Sequence, residues 1–388
     1  MTEKQAKTKL VNPAGAGAPL SAPPSAPETA PLNALATTPP SVPLTAQQPG
    51  PEFRESHAHL SREELLARRI ADLKLRLEGT PLARLTRRLY DELSHKGLQF
   101  RPPVYLSDEW GCPDRVPIIG VPFYLADPYL TQLEDELMEG VEAESDDQVM
   151  RYLRHEAGHA LNYAYRLYDE PEWNSLFGPF LRPYTDDYTP KPFSRSFVRH
   201  LPGWYAQKHP DEDFAETLAV WLDPQSNWRE VYADWPCLPK LMYLDELAHR
   251  IGSEPPPVTA ENYDTQEAYL ASTVAEHYRR TSPTRVDIPR LFDAALRDIF
   301  PPMPAEPAHA KPAADFLRRH RRSIVRTVFY WTGLNYDLLR ALAIHMEDRC
   351  AAMNLQVGPA PSDRLIEIVT LITTLCMNRL RTGEFVPK

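Results

Sequence analysis

The stretch RHEAGH carries histidines at 155 and 159 with Glu156 beside the first. On a helix, residues four apart lie one turn apart on the same face, so both imidazoles can reach one ion. His-Glu-x-x-His is thus the pattern of a zinc site in which the glutamate works on a metal-activated water. A hydrolytic zinc also needs a third protein ligand and an open fourth position. Downstream, HPDEDFAETL supplies carboxylates. Glu212 and Glu216 are again four apart, so the first can bind the metal while the second, one turn on, accepts a hydrogen bond from a ligating histidine. With Glu216 as ligand, the residue one turn later is Val220, which orients nothing; with Asp213 it is Thr217, a weaker partner. Glu212 is therefore the favoured third ligand. Tyr205, seven residues before it in GWYAQKHP, is a candidate donor to the oxyanion of a tetrahedral intermediate, with His200 and His209 competing for that role.

Two helices must position these groups. DDQVMRYLRHEAGHALNYAYRLYDEPEW opens on acidic residues and runs about twenty residues with Val149, Met150, Leu153, Ala157, Ala160, Leu161 and Ala164 on an apolar face. Pro210, at a first helical position, opens DEDFAETLAVWLD. Between them, residues 172 to 209 are aromatic and proline-rich and read as a long structured loop. Upstream, Ser61 with Glu64 forms a capping box for a helix that Gly79 ends, and Thr80 with Pro81 starts a second that Gly97 ends. FRPPVYLSDEWGCPDRVPIIGVPFYL then reads as two or three short strands with turns. Pro117 and Pro122 would spoil a central strand, so VPIIGVPFYL belongs on a sheet edge or alternates between paired and free residues, which leaves backbone groups available. Downstream, LPKLMYLDELAHRIG reads as a helix, and three more follow from residue 313, the last capped at Ser362 and stopped at Gly383.

HEAGH followed by HPDEDFAETLAVWL resembles the zinc-binding metallopeptidases of bacteria within the gluzincin branch of the zincins. The similarity takes in LKLRLEGTPL, RLYDEL, PPVYLSDEW and PFYLADP, and so spans roughly residues 68 to 250. It implies zinc on His155, His159 and Glu212, with Glu216 as the acidic partner four positions after the third ligand. A tyrosine seven positions before that ligand is also similar to an arrangement within the gluzincins, which supports Tyr205. Many gluzincins carry aspartate where this chain has Glu216, and the 53 residues from His159 to Glu212 exceed the spacing of thermolysin-like members, which implies an inserted loop over the cleft. Zincins are similar, too, in placing an edge strand where extended substrates add as a further strand, the place of VPIIGVPFYL.

The expected fold class is accordingly α+β: a zincin-like metallopeptidase domain with a small edge-strand sheet and active-site helices, a C-terminal helical segment and a disordered N-terminal tail. The expected divisions are a Pro/Ala-rich tail over 1–56, the metallopeptidase domain over 57–255, a helical and proline-rich connection over 256–312 and a helical bundle over 313–388. The expected activity is peptide-bond hydrolysis with Zn2+ as cofactor and Glu156 as general base and acid, on a peptide or protein substrate. The alternatives are a zinc amidase acting on a modified peptide or small amide, and a catalytically silent interaction protein on the same scaffold.

Composition bounds these readings. A net charge of −10 over 388 residues argues against nucleic-acid binding, and the basic run RRHRR at 318–322 reads as a solvated helix face. Cys112, Cys237, Cys350 and Cys376 stand far apart, which fits reduced thiols and a reducing compartment. With no secretory pattern at MTEKQAKTKL and no long apolar run, the expectation is a cytoplasmic protein without a membrane partner.

Overall fold

The computed structural model describes residues 57–138, 145–185, 188–260, 268–281, 292–305 and 310–386. The expected disordered tail and parts of the 256–312 connection lie outside these residues. Where described, the molecule is mostly helical with one two-stranded parallel sheet. In chain order the helices and strands are α1 (Arg62–Ala67), α2 (Pro81–His95), β1 (Val104–Ser107), β2 (Ile119–Pro122), α3 (Pro128–Met138), α4 (Asp146–Tyr165), α5 (Pro171–Phe177), α6 (Pro210–Leu222), α7 (Trp228–Val231), α8 (Leu238–Ile251), α9 (Val274–Thr281), α10 (Asp293–Ile299), α11 (Ala313–Thr332), α12 (Tyr336–Ala352) and α13 (Pro361–Thr382).

The capping box at Ser61 and Glu64 forms, but α1 ends at Ala67 instead of running on toward Gly79. The cause is long-range pairing. Arg69 bridges Thr273, the Ile70 amide donates to the Ser272 carbonyl, and the chain resumes as a 3-10 turn over Ile70–Leu73. Helix α2 starts as its residues predict, with Thr80 accepting from the Ala83 amide and Pro81 at the first position. Its Leu82, Leu85, Leu89 and Leu93 lie in the core. Each such side chain contributes about 1.5–3 kcal/mol on burial. Glu92 of α2 takes a two-pronged bond from buried Arg154 of α4, at 2.7 and 2.8 Å, which pins the two helices in register.

The run expected at a free sheet edge is instead paired on both sides. Strand β2 lies between β1 and Gly111: Val104 pairs with Ile119 through Ser107 with Pro122 in parallel, while the Gly120 amide and carbonyl both bond Gly111 on the other side. Residues 117 to 127 are buried throughout. Pro117 precedes the paired residues and Pro122 is the last of them, so neither interrupts the ladder, and the chain segment beside the cleft is instead Trp110–Cys112.

Helix α4 is capped by the Ser145 hydroxyl and stopped by Arg166 in a left-handed conformation. Helix α6 is buried over its whole length, apolar residues and carboxylates alike. The intervening segment is less of a loop than its composition suggests: Pro171 at a first helical position starts α5, whose Trp173 and Phe177 pack against Phe214 of α6. One apolar core runs from Leu65 to Tyr278. A second is built by α10 to α13 and takes in Phe292, Leu296, Ile299 and Phe300, residues that the sequence reading assigned to the connection. Helix α13 begins one residue before the expected cap, because Pro361 suits its first position. The arginines of RRHRR pair with carboxylates, Arg321 with Glu347 and Arg322 with Asp135 on α3. No described helix is long and apolar enough to cross a membrane.

Candidate metal centre

Helices α4 and α6 cross in unusually close contact. A Cβ on Gly158 would lie 2.6 Å from the Ala215 Cα, so only glycine lets the backbones approach this far. That approach carries His155 and His159, on either side of Gly158, onto the first turns of α6. The result is a buried cluster of His155, His159 and Glu212 whose ligand atoms lie within 4.8 Å of one another and can hold a metal ion.

The finer geometry is compatible with a small tetrahedral ion. His155 Nε2 lies 3.0 Å from Glu212 Oε2, His159 Nε2 lies 3.2 Å from the same oxygen, and the two Nε2 atoms are 3.1 Å apart. Tetrahedral zinc with bonds of roughly 2.0–2.1 Å sets its ligand atoms about 3.3 Å apart. The three atoms thus already form one face of such a tetrahedron. The opposite nitrogens are held by carboxylates: His155 Nδ1 by Glu216 Oε1 at 2.8 Å and His159 Nδ1 by Asp211 Oδ2 at 2.9 Å. A carboxylate accepts, so each Nδ1 carries a proton and, in the neutral imidazole a metal needs, each Nε2 turns a lone pair inward. Two lone pairs and a carboxylate oxygen then converge at a buried point, an arrangement that calls for a cation. Without a cation, protons are drawn to the same point. Burial works against protonation of His155, yet its bonds to Glu212 and Glu216 outweigh it and push the imidazole up to about 9. His159 is raised as well, despite burial, by Asp211 and Glu212. Glu212 is held well below its usual range because both imidazoles outweigh its own burial.

Glu216 is tied at both oxygens, the second accepting the Leu201 amide at 2.8 Å. Asp211 is the focus of a further set: Asn162 donates to it at 2.7 Å and Tyr163 at 2.6 Å, both one turn beyond His159 on α4. Asp213 points elsewhere and pairs with Lys240 at 2.6 Å.

A cleft of about 560 Å³ opens onto the cluster. Glu156 lines it, and among the described residues its carboxylate has no hydrogen-bond partner. Burial raises its pKa, with His155 and His159 pulling the other way. The Tyr205 ring stands 5.6 Å from that of His155 and lines the same cleft. Tyr184, on the same wall of the cleft, donates to Glu212 Oε1. Burial lifts both phenols far above their ordinary range, Glu212 adding to the effect, so both remain hydrogen-bond donors. Of the two competing histidines, His209 lines the cleft with its Nδ1 accepting from the Asp211 amide and its Nε2 donating to the Arg182 carbonyl. His200 donates to the Arg151 carbonyl and burial pushes it down to about 4.

The structure therefore brings together His155, Glu156, His159, Tyr205, Glu212 and Glu216. Sequence reasoning passed over Asp211, Asn162, Tyr163 and Tyr184. An acidic residue in a first helical turn reads as a response to the helix dipole, and only the spacing of Asn162 and Tyr163 after His159 offered a signal. Tyr184 lies in a segment whose sequence has no period at all. No protein-family model, curated protein or solved structure matches the chain.

Proposed function

We propose that the protein is a zinc-dependent metallopeptidase of the gluzincin type, hydrolysing peptide bonds in a peptide or protein substrate. His155, His159 and Glu212 would hold the ion, with Glu216 and Asp211 orienting the imidazoles. Bound there, zinc polarises a carbonyl oxygen and lowers the pKa of water toward about 7. Glu156 takes the proton from the attacking water and hands it to the leaving amine, a task suited to a carboxyl group whose pKa burial has raised. Tyr205, which lines the cleft beside His155, would donate its hydroxyl hydrogen to the developing oxyanion. Phe180, Tyr184 and Tyr205 form an aromatic wall of the cleft, against which a substrate side chain can pack.

The observation that carries the reading is the Glu156 carboxylate. It is buried and without a hydrogen-bond partner among the described residues, and it opens on a cleft beside three converging ligand atoms. Incubating wild type and Glu156→Gln with a peptide library tests it. New peptide termini are expected with wild type alone, at equal zinc content in both proteins. A Glu156→Gln protein that cleaves at the wild-type rate would contradict the assignment, and a zinc-loaded wild type that produces no termini would move it to a small-amide hydrolase.

A further inference from the structure

Tyr205 sits on a turn whose backbone is gripped by the C-terminal helices. Within Pro202–Gln207, Gly203 (φ 81°, ψ 9°) and Trp204 (φ 60°, ψ 40°) are consecutive left-handed residues. A bulky residue adopts that conformation only when its surroundings impose it. Around the buried Trp204 indole, the Arg199 guanidinium lies 4.2 Å from the ring and Phe193 stands edge-on at 5.2 Å. The end of α11 closes the other side. A Cβ on Gly203 would fall 2.7 Å from the Phe329 ring, and one on Gly333 would fall 2.7 Å from the Gly203 carbonyl oxygen and 2.8 Å from Trp204 Cδ1. Arg199 also faces Tyr330 and Trp331, at 5.4 and 5.6 Å. The same turn reaches the metal centre twice, through Tyr205 beside His155 and through the Leu201 amide on Glu216.

We infer that Phe329 and Gly333, at the end of α11, are positioning residues for Tyr205 and the Leu201 amide, so that, given the hydrolase proposed above, the C-terminal helices belong to the working site. The close fit leaves no room for the turn to shift while α11 stays in place. Any displacement of α11 is passed to the tyrosine and to the carboxylate that orients His155.

A matched pair of variants in the full chain separates positioning from general stability. Gly333 and Gly383 each follow a long helix with left-handed backbone, at φ 70° and 81°, so alanine strains both alike. A Cβ at Gly383, however, meets nothing within 4 Å. In zinc-supplemented protein, Gly333→Ala is expected to speed amide exchange in residues 199–207 by on the order of 10-fold while α4 and α6 keep their protection, and Gly383→Ala to match wild type there. On a cleaved peptide, Gly333→Ala is expected to lower kcat about 100-fold with KM and zinc content little changed. Combined with Tyr205→Phe, it should slow turnover by less than the product of the two single effects. If Gly333→Ala does not fold, Phe329→Leu, which takes the ring away from Gly203, is read the same way. Equal exchange and equal turnover in the Gly333→Ala and Gly383→Ala proteins would overturn the inference. Should wild type cleave no peptide, the hydrolase reading fails, and the exchange comparison alone still decides the positioning.

Discussion

Replacing Gly158 with alanine probes the helix crossing on which the metal centre depends. In an ordinary helix interior the change is favourable by roughly 0.5–1 kcal/mol, because alanine has less backbone freedom to lose on folding. Here the new methyl would sit 2.6 Å from the Ala215 Cα and 3.1 Å from its Cβ and carbonyl oxygen. Carbon atoms in good contact are about 3.5–4.0 Å apart, so α4 and α6 must part by roughly 1 Å. Overpacking of this kind costs about 1–3 kcal/mol. Set against the helix gain, the net loss is within about 2 kcal/mol, and the protein should still fold. The ligand set is less tolerant. The 3.0 and 3.2 Å separations of Glu212 Oε2 from the two imidazoles widen as α6 moves away. At roughly 4 Å they no longer match the ~3.3 Å edges of a tetrahedral zinc site. We expect zinc affinity to drop by about 100-fold, at the upper end of what losing an orienting partner costs. Competition against a chromophoric chelator measures the affinity, and thermal melts in chelator measure the fold separately. A folded Gly158→Ala protein with wild-type zinc affinity would refute the claim that this crossing sets the ligand geometry.

Three further outcomes follow from the same contacts. Asp211→Ala leaves His159, Asn162 and Tyr163 without their shared acceptor, and should weaken zinc binding by about 10–100-fold in the chelator assay. Asp213→Ala leaves buried Lys240 with the Ser196 carbonyl but no counter-charge; a melting experiment should show a loss of about 3 kcal/mol or less, while zinc stoichiometry stays at the wild-type value. Zinc loading should also release protons. With its pKa raised to about 9, His155 is protonated at pH 7 in the metal-free protein, and the metal needs it neutral. Calorimetric titrations in buffers of different ionisation enthalpy should therefore give about one proton or more released per zinc at pH 7, and fewer as pH rises through 9. Zero release at pH 7 would contradict the raised imidazole.

Much of this centre is legible from local pattern. The i, i+4 spacings of His155 with His159 and of Glu212 with Glu216 are properties of single helices, and the caps and apolar faces that make those helices are written beside them. What escapes is set by distant chain. Helix α1 stops early because Arg69 finds Thr273, some two hundred residues on, and no propensity encodes that meeting. Asp211 stands next to the ligand in sequence, yet its role emerges only once α4 lies close enough to deliver His159, Asn162 and Tyr163 to it. Likewise β2 is buried because Gly111 folds back across it, which alternation and proline positions leave undetermined. The grip of α11 on Gly203 and Trp204 joins segments more than a hundred residues apart through backbone conformations that composition does not show.

Zinc-edge X-ray absorption on the metal-loaded full chain tests the central claim most directly. The account predicts one zinc per chain, with two imidazole nitrogens and a carboxylate oxygen at about 2.0–2.2 Å and a light-atom fourth ligand. Cys112 lines the same cleft, so a competing site has a distinct signature. A sulfur neighbour at about 2.3 Å, or an imidazole count unchanged by replacing His159, would contradict it.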